Sequence, residues 1–317
     1  MTTAAERLSV IIPARNEADR IGRTVRAVLV AIDQIDAEAE VIVVDDGSRD
    51  ATGPEASRAG ARVVRRDGAG NPGAARNHGA EEATGAVLVF LDADCVPAPG
   101  WLATLVAAHE AGARCVGGSL ALAPDLPWTA RWDYYFSSYH LHPDRPGGPV
   151  ANHTPANLSV MRDAFDATSG FTESHPVADG HEELMLQGAL RRSGSVCHFE
   201  PAAVVYHHNR PGLGNLLRRT YRWAYSSIQA KAESGAGRWS WLYRHPWLLV
   251  VAAPLIAPLQ ALYIAHCWMR AGRLEPLAAF PVLLLARFVY AGGTMIGGWR
   301  WLTSSPRVHR APGRSAP

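Results

Sequence analysis

The chain has 317 residues, a formal net charge of +2 and 48% hydrophobic residues. That length accommodates one large domain with an appendage, or two domains. A near-neutral balance, with arginines interleaved among acids, excludes a nucleic-acid-binding footprint. Cys95, Cys115, Cys197 and Cys267 show no CxxC spacing and read as small, reduced, buried thiols of a cytosolic compartment.

The first apolar run, residues 8–13, is too short for the core of a signal peptide and reads as a strand followed by a loop over Pro13 to Glu17. Helical periodicity runs from Ala18 to about Ile32, with Ile21, Val25, Val28, Leu29 and Ile32 on one face. A second buried strand over residues 40–44 ends in Asp45-Asp46-Gly47-Ser48. A short helix over 52–59, a strand over 61–64, a glycine-rich loop over 68–73 and a helix over 72–84 follow. Alternation of this kind predicts an α/β fold with a doubly wound, mostly parallel sheet and flanking helices. No GxGxxG follows the first strand and no GxxxxGK[ST] occurs, which excludes a dinucleotide-binding Rossmann domain and a P-loop NTPase.

Residues 87–91 are five consecutive apolar residues, the pattern of a strand buried on both faces. The run breaks into Asp92-Ala93-Asp94, placing two carboxylates where open α/β sheets bind ligands. Residues two apart in an extended segment point the same way, so both can reach one object. Hard oxygen ligands suit Mg²⁺ or Mn²⁺. Further on, residues 202–206 form a strand that runs into His207-His208, of which only one faces a metal at the strand end. Glu182-Glu183 opens another helix.

Four segments in this order carry a resemblance: Val10-Ile11-Ile12-Pro13-Ala14-Arg15-Asn16-Glu17, Val41 to Ser48, Gly73-Ala74-Ala75-Arg76-Asn77, and Leu91-Asp92-Ala93-Asp94. Pro155-Ala156-Asn157-Leu158-Ser159, Ser169-Gly170-Phe171 and His181-Glu182-Glu183 extend it, so that it covers residues 8–232. The chain resembles the family-2 glycosyltransferases of GT-A fold. That resemblance implies an inverting sugar transferase using a nucleotide-diphosphate sugar and a divalent cation, Mn²⁺ or Mg²⁺. It further implies that Pro13, Asn16, Glu17, Asp45, Asp46, Arg76, Asp92 and Ala93 meet the nucleotide sugar. Asp94, with Asp92 and His207 or His208, would hold the metal. Glu183 would be the general base, a Glu where the family has Asp, with Glu182 beside it. A polyprenyl-phosphate sugar synthase, or a catalytically silent nucleotide-sugar-binding protein, is the alternative reading.

Trp128, Trp132, Tyr134, Tyr135, Phe136 and Tyr139 form a stripe that is more often core than binding site, with a membrane interface or an acceptor groove as the alternatives. Residues 142–149 read as a mobile Pro/Gly loop. The stretch 216–225 mixes cations with aromatics like a surface-lying amphipathic helix. Trp247 to Met269 has no charged residue and Pro276 to Trp299 only Arg287, so both can span a hydrocarbon core; a helical hairpin packing on the domain or on a second copy is the alternative. The expected organisation is a catalytic domain over 1–235, an apolar helical hairpin over 236–302 and a disordered tail over 303–317. The linker 270–275 would lie across the membrane from a cytoplasmic catalytic domain at the cell membrane. The expected partners are the nucleotide-diphosphate sugar, a glycan or lipid acceptor and the membrane, and no nucleic acid.

Overall fold

The structure, a computed structural model, describes residues 7–67, 70–174, 180–235 and 240–304. Gly68 and Ala69 of the glycine-rich loop, Arg238, and the tail after residue 304 lie outside the described residues. The first half alternates as its sequence predicts: β1 (Arg7–Ala14), α1 (Ala18–Ile32), β2 (Glu38–Asp46), α2 (Thr52–Arg58), β3 (Arg62–Arg66), α3 (Pro72–Glu82) and β4 (Val87–Leu91). The order then continues with β5 (Cys95–Pro97), α4 (Trp101–Glu110), β6 (Cys115–Leu122), α5 (Trp128–Ser137), β7 (Gly148–Val150) and β8 (Asn157–Met161). Next come α6 (Arg162–Asp166), α7 (Glu182–Arg192) and β9 (Cys197–His207). The C-terminal helices are α8 (Leu213–Ser234), α9 (Ser240–Tyr243), α10 (Pro246–Arg270), α11 (Glu275–Ala278) and α12 (Phe280–Ser304).

The strands form one sheet in the order β3-β2-β1-β4-β8-β6-β9-β5, with β7 added on β9. Its β3-β2-β1-β4 half is parallel. Beyond β4 the sheet becomes mixed, because β8 pairs antiparallel with both β4 and β6. All five residues of β4 are buried, as a strand with both faces covered requires. Ile21, Val25 and Val28 of α1 cover one face, while Ala75 and Ala80 of α3 belong to the core on the other. Because β1 connects to β2 on one side and pairs with β4 on the other, a crevice opens at the carboxyl ends of β1, β2 and β4.

The Pro/Gly segment is anchored at both ends, since His142 is buried against the Trp268 ring and Gly148–Val150 pairs with β9. The α5 aromatics form a core: Tyr134, Tyr135 and Phe136 cluster with Ile264 and Trp268 of α10 and with Leu283 of α12. The Trp268 indole N–H donates to the Tyr135 carbonyl at 2.9 Å. Two expectations about the C-terminus are corrected by this packing. First, α8 is not a free surface helix, because α12 covers it. A methyl group at Gly293 would lie 2.6 Å from the Tyr221 carbonyl oxygen, and one at Gly297 2.5 Å from that of Tyr225, so the two helices approach as closely as small residues permit. Second, the 270–275 linker does not lie away from the catalytic domain. Arg273 pairs with Asp144 at 2.8 Å, and the Tyr135 hydroxyl donates to Glu275 at 2.7 Å. With its turn on α5 and its far end on α8, the hairpin lies along the domain. Val251, Leu255, Leu259, Leu262 and Tyr263 of α10 remain exposed on its outer side, as do Leu285, Phe288, Ile296 and Trp299 of α12.

Candidate active site

At the crevice a hollow of about 280 Å³ is lined by Pro13, Glu17, Asp46, Arg76, Ala93 and Asp94, among others. Alternation along β2 sends its last two carboxylates to opposite sides. Asp46 faces the hollow, its Oδ2 accepting the Asn71 backbone N–H at 2.7 Å and its Oδ1 pairing with Arg66. Asp45 does not reach the hollow. Its Oδ1 accepts the Ser48 backbone N–H at 2.9 Å and closes the turn. Asn16 is also a structural residue: in a left-handed conformation (φ 54°), it accepts the Arg49 N–H at 2.9 Å, and its own N–H donates to the Ser48 hydroxyl. Glu17 sits at the rim, paired with Arg20 at 3.2 Å and with Arg210.

Arg76 is buried by the packing of α3 against the sheet, and both ends of its guanidinium are occupied. One nitrogen donates to Asp92 at 2.6 Å and the other to Glu182 at 2.7 Å. Although burial opposes its charge, the two carboxylates hold the guanidinium's pKa above its ordinary value. Arg76 therefore lines the hollow as a bridge rather than as a free phosphate ligand. Asp92 faces that guanidinium and stands apart from the group around Asp94.

That group consists of Asp94, Cys95 and His207, whose ligand atoms all lie within 4.8 Å of one another. His207 Nε2 is 3.5 Å from Asp94 Oδ1. His208 is not part of that group, and its backbone N–H donates to the Asp94 carbonyl at 2.9 Å. Burial, and then the charges of Asp94 and Asp92, push the Cys95 thiol well above its usual range, leaving it a neutral packing group. The donor set is thus a carboxylate and an imidazole beside open space, which fits Mn²⁺ or Mg²⁺ completing its shell with phosphate oxygens.

A second cavity of about 810 Å³ joins this edge to the C-terminal helices, lined by Asp94, His207, Glu182, Glu183, Lys231 and Arg287 among others. Glu182 and Glu183 occupy the first turn of α7, where the helix dipole favours acids. Glu182 is held by Arg76. Burial, reinforced by the charge of Glu182, pushes the Glu183 carboxyl up to about 8. His153 and His181 are packing residues. His153 stacks on Phe199, and His181 donates from Nε2 to the Trp223 carbonyl at 2.9 Å.

The match to the family described as Glycosyl transferase family 2 spans residues 9–168. The chain belongs to this family. Among curated relatives, the glycosyltransferase AglE of Haloferax volcanii is 30% identical over 236 residues, covering 72% of this chain and 75% of the relative. An undecaprenyl-phosphate 4-deoxy-4-formamido-L-arabinose transferase of Pseudomonas syringae is 33% identical over 132 residues, 39% of each chain. Among solved structures, the mannosyltransferase PcManGT of Pyrobaculum calidifontis, in complex with GDP-Man and Mn²⁺, shares the fold with a TM-score of 0.60. Identity to it is 18%, over 94% of this chain and 87% of that one. This family-2 chain is a glycosyltransferase.

Sequence reasoning missed the cations that line the glycosyltransferase's second cavity. Arg219 pairs with Asp133 and lies over the Trp223 ring at 4.2 Å, yet its stretch reads as membrane-facing by composition. An acid inside the aromatic run 128–139 was the available signal, since a buried carboxylate demands a partner.

Proposed function

We propose that this glycosyltransferase transfers a sugar, with inversion, from a nucleotide-diphosphate donor to an acceptor hydroxyl, using a divalent cation, at a membrane surface. The observation carrying this reading is that Asp94, His207 and Glu183 open onto one cavity. A metal-nucleotide site and a base facing the same space are what a single displacement requires. Asp46 would take a ring N–H of the base, Asp94 and His207 would hold the cation, and the cation would neutralise charge on the departing diphosphate. Arg76 fixes the spacing between the donor side and α7. Glu183 would accept the proton of the attacking hydroxyl from the opposite side of the sugar, which is the geometry of inversion. The Mn²⁺ and GDP-Man bound to PcManGT support this assignment.

One observation favours a second reading. A carboxyl that titrates near 8 keeps its proton at neutral pH, which would suit a phosphate acceptor arriving already ionised, and a relative acts on undecaprenyl phosphate. The test is consumption of UDP- and GDP-sugars by purified protein with and without polyprenyl phosphates and glycolipids. Acceptor-dependent release of nucleotide is expected. No turnover with any pair, despite tight nucleotide binding, would leave only the silent binding protein.

The exposed apolar stripe of α10 and α12 supports membrane attachment, and four free thiols support a cytoplasmic catalytic domain. Leu255→Glu with Leu259→Glu should keep the protein in the bottom fraction, away from the floating vesicles, in a flotation assay. Unchanged flotation would remove this face from the attachment.

A further inference from the structure

Arg287 is the only charged residue between Pro276 and Trp299. Its side chain is turned away from the outer apolar face and is only 8% exposed. The guanidinium lies over the Phe136 ring at 4.5 Å and the Tyr290 ring at 5.4 Å. Its Nε is buried without a hydrogen-bond partner, and no carboxylate among the described residues pairs with it. Lys231 approaches the same ring from α8. Its ammonium donates to the Tyr290 hydroxyl at 3.0 Å, stands 5.1 Å from the centre of the Tyr243 ring, and likewise has no carboxylate pair among the described residues. Both side chains line the cavity that holds Glu183.

Two cations held in aromatic surroundings, neither in an ion-pair contact with a carboxylate, are costly unless an anion completes them. An ionisable residue inside an apolar helix marks a functional site. A planar guanidinium beside a compact ammonium matches phosphate oxygens, the fork supplying direction and the ammonium charge. We propose that Arg287 and Lys231 bind a phosphate or diphosphate group carried by the acceptor, at the side of the cavity built by the membrane-attached hairpin. This assignment rests on the transferase reading, and it makes the acceptor a phosphorylated molecule. The phosphate can belong to a lipid or to a soluble compound.

The experiment uses the full chain in detergent micelles with EDTA, which silences the metal site, and titrates farnesyl diphosphate, inorganic pyrophosphate and farnesol. Farnesyl diphosphate should bind well above farnesol, and Arg287→Met and Lys231→Gln should each weaken it by at least about tenfold, the scale of one charge-assisted contact. Arg287→Met suits an apolar helix, and Lys231→Gln, outside that helix, provides a second variant should the first fail to fold. Pyrophosphate binding as tightly as farnesyl diphosphate assigns a soluble acceptor, and weaker pyrophosphate binding assigns a lipid. Either result supports the anion site when the two variants lose it. Equal affinity for farnesyl diphosphate and farnesol, or undiminished binding by both variants, overturns the proposal. UDP and GDP are titrated with Mn²⁺ in parallel preparations without EDTA and should bind each variant as they bind wild type. Failure of wild type to bind either nucleotide refutes the transferase reading instead, so the two failures are distinguishable.

Discussion

Glu183→Gln is expected to slow sugar transfer by about a hundredfold to ten-thousandfold, the range for loss of a general base, while leaving nucleotide affinity unchanged. Gln keeps the size of the side chain and removes only the basic oxygen. The wild-type rate should rise with pH through about 8, because a base works in its ionised form and burial beside Glu182 sets that midpoint. Stability should move the opposite way. Between the ordinary carboxyl value of 4.5 and about 8, the unfolded chain releases a proton that the folded chain keeps. Folding stability from this group is therefore lost as pH rises. Glu183→Gln should accordingly melt higher than wild type, by a margin that grows from pH 5 to pH 8. A variant with full transfer rate at every pH would sink the base assignment and favour the phosphate-acceptor reading.

Arg76→Leu is expected to cost about 3–5 kcal/mol of folding stability, the penalty for breaking a buried ion pair from one side. Glu182 would be left with its carboxylate in a site where 5% of the side chain is exposed, and Asp92 would lose the partner that directs it. The same change should raise the midpoint of the rate profile, since the Arg76 charge lowers the Glu183 pKa. Equilibrium unfolding in urea measures the first effect and the pH–rate profile the second. A loss below about 1 kcal/mol would mean that the two carboxylates find water or other donors, as in a surface pair, and the bridge would cease to explain the spacing of the site.

The parts of this protein that were legible in its sequence are those set by local pattern. The five apolar residues of β4 can only be a covered strand, and the spacing of Ile21, Val25 and Val28 fixes the inner face of α1. The strand-end carboxylates marked the crevice for the same reason, because a chain leaving a buried strand has nowhere else to put them. What escaped depended on partners distant in sequence. Asp45 and Asp46 are chemically identical, and only the turn to Ser48 and the approach of Asn71 distinguish the structural acid from the one facing the hollow. Asp92 reads from sequence as a metal ligand, and only the fold shows that α3 brings Arg76 to it, with Glu182 of α7 on the other end of the same guanidinium. His207 and His208 were a matched pair until β9 paired antiparallel with β5, with His207 opposite Cys95. The apolar runs of α10 and α12 have the same composition whether they cross a bilayer or lie along a domain. Arg273 on Asp144 and Glu275 on Tyr135 show only that the turn between them packs on the domain, and neither contact leaves a periodic trace in sequence.

The most direct test of the account is a calorimetric titration of the full-length protein with UDP and GDP, first in Mn²⁺ and then in EDTA, repeated on Asp94→Ala. Binding of at least one nucleotide in Mn²⁺, lost in EDTA and lost in Asp94→Ala, is the result predicted by a cation shared between Asp94, His207 and the diphosphate. Equal affinity in both solutions, with Asp94→Ala indistinguishable from wild type, would contradict it.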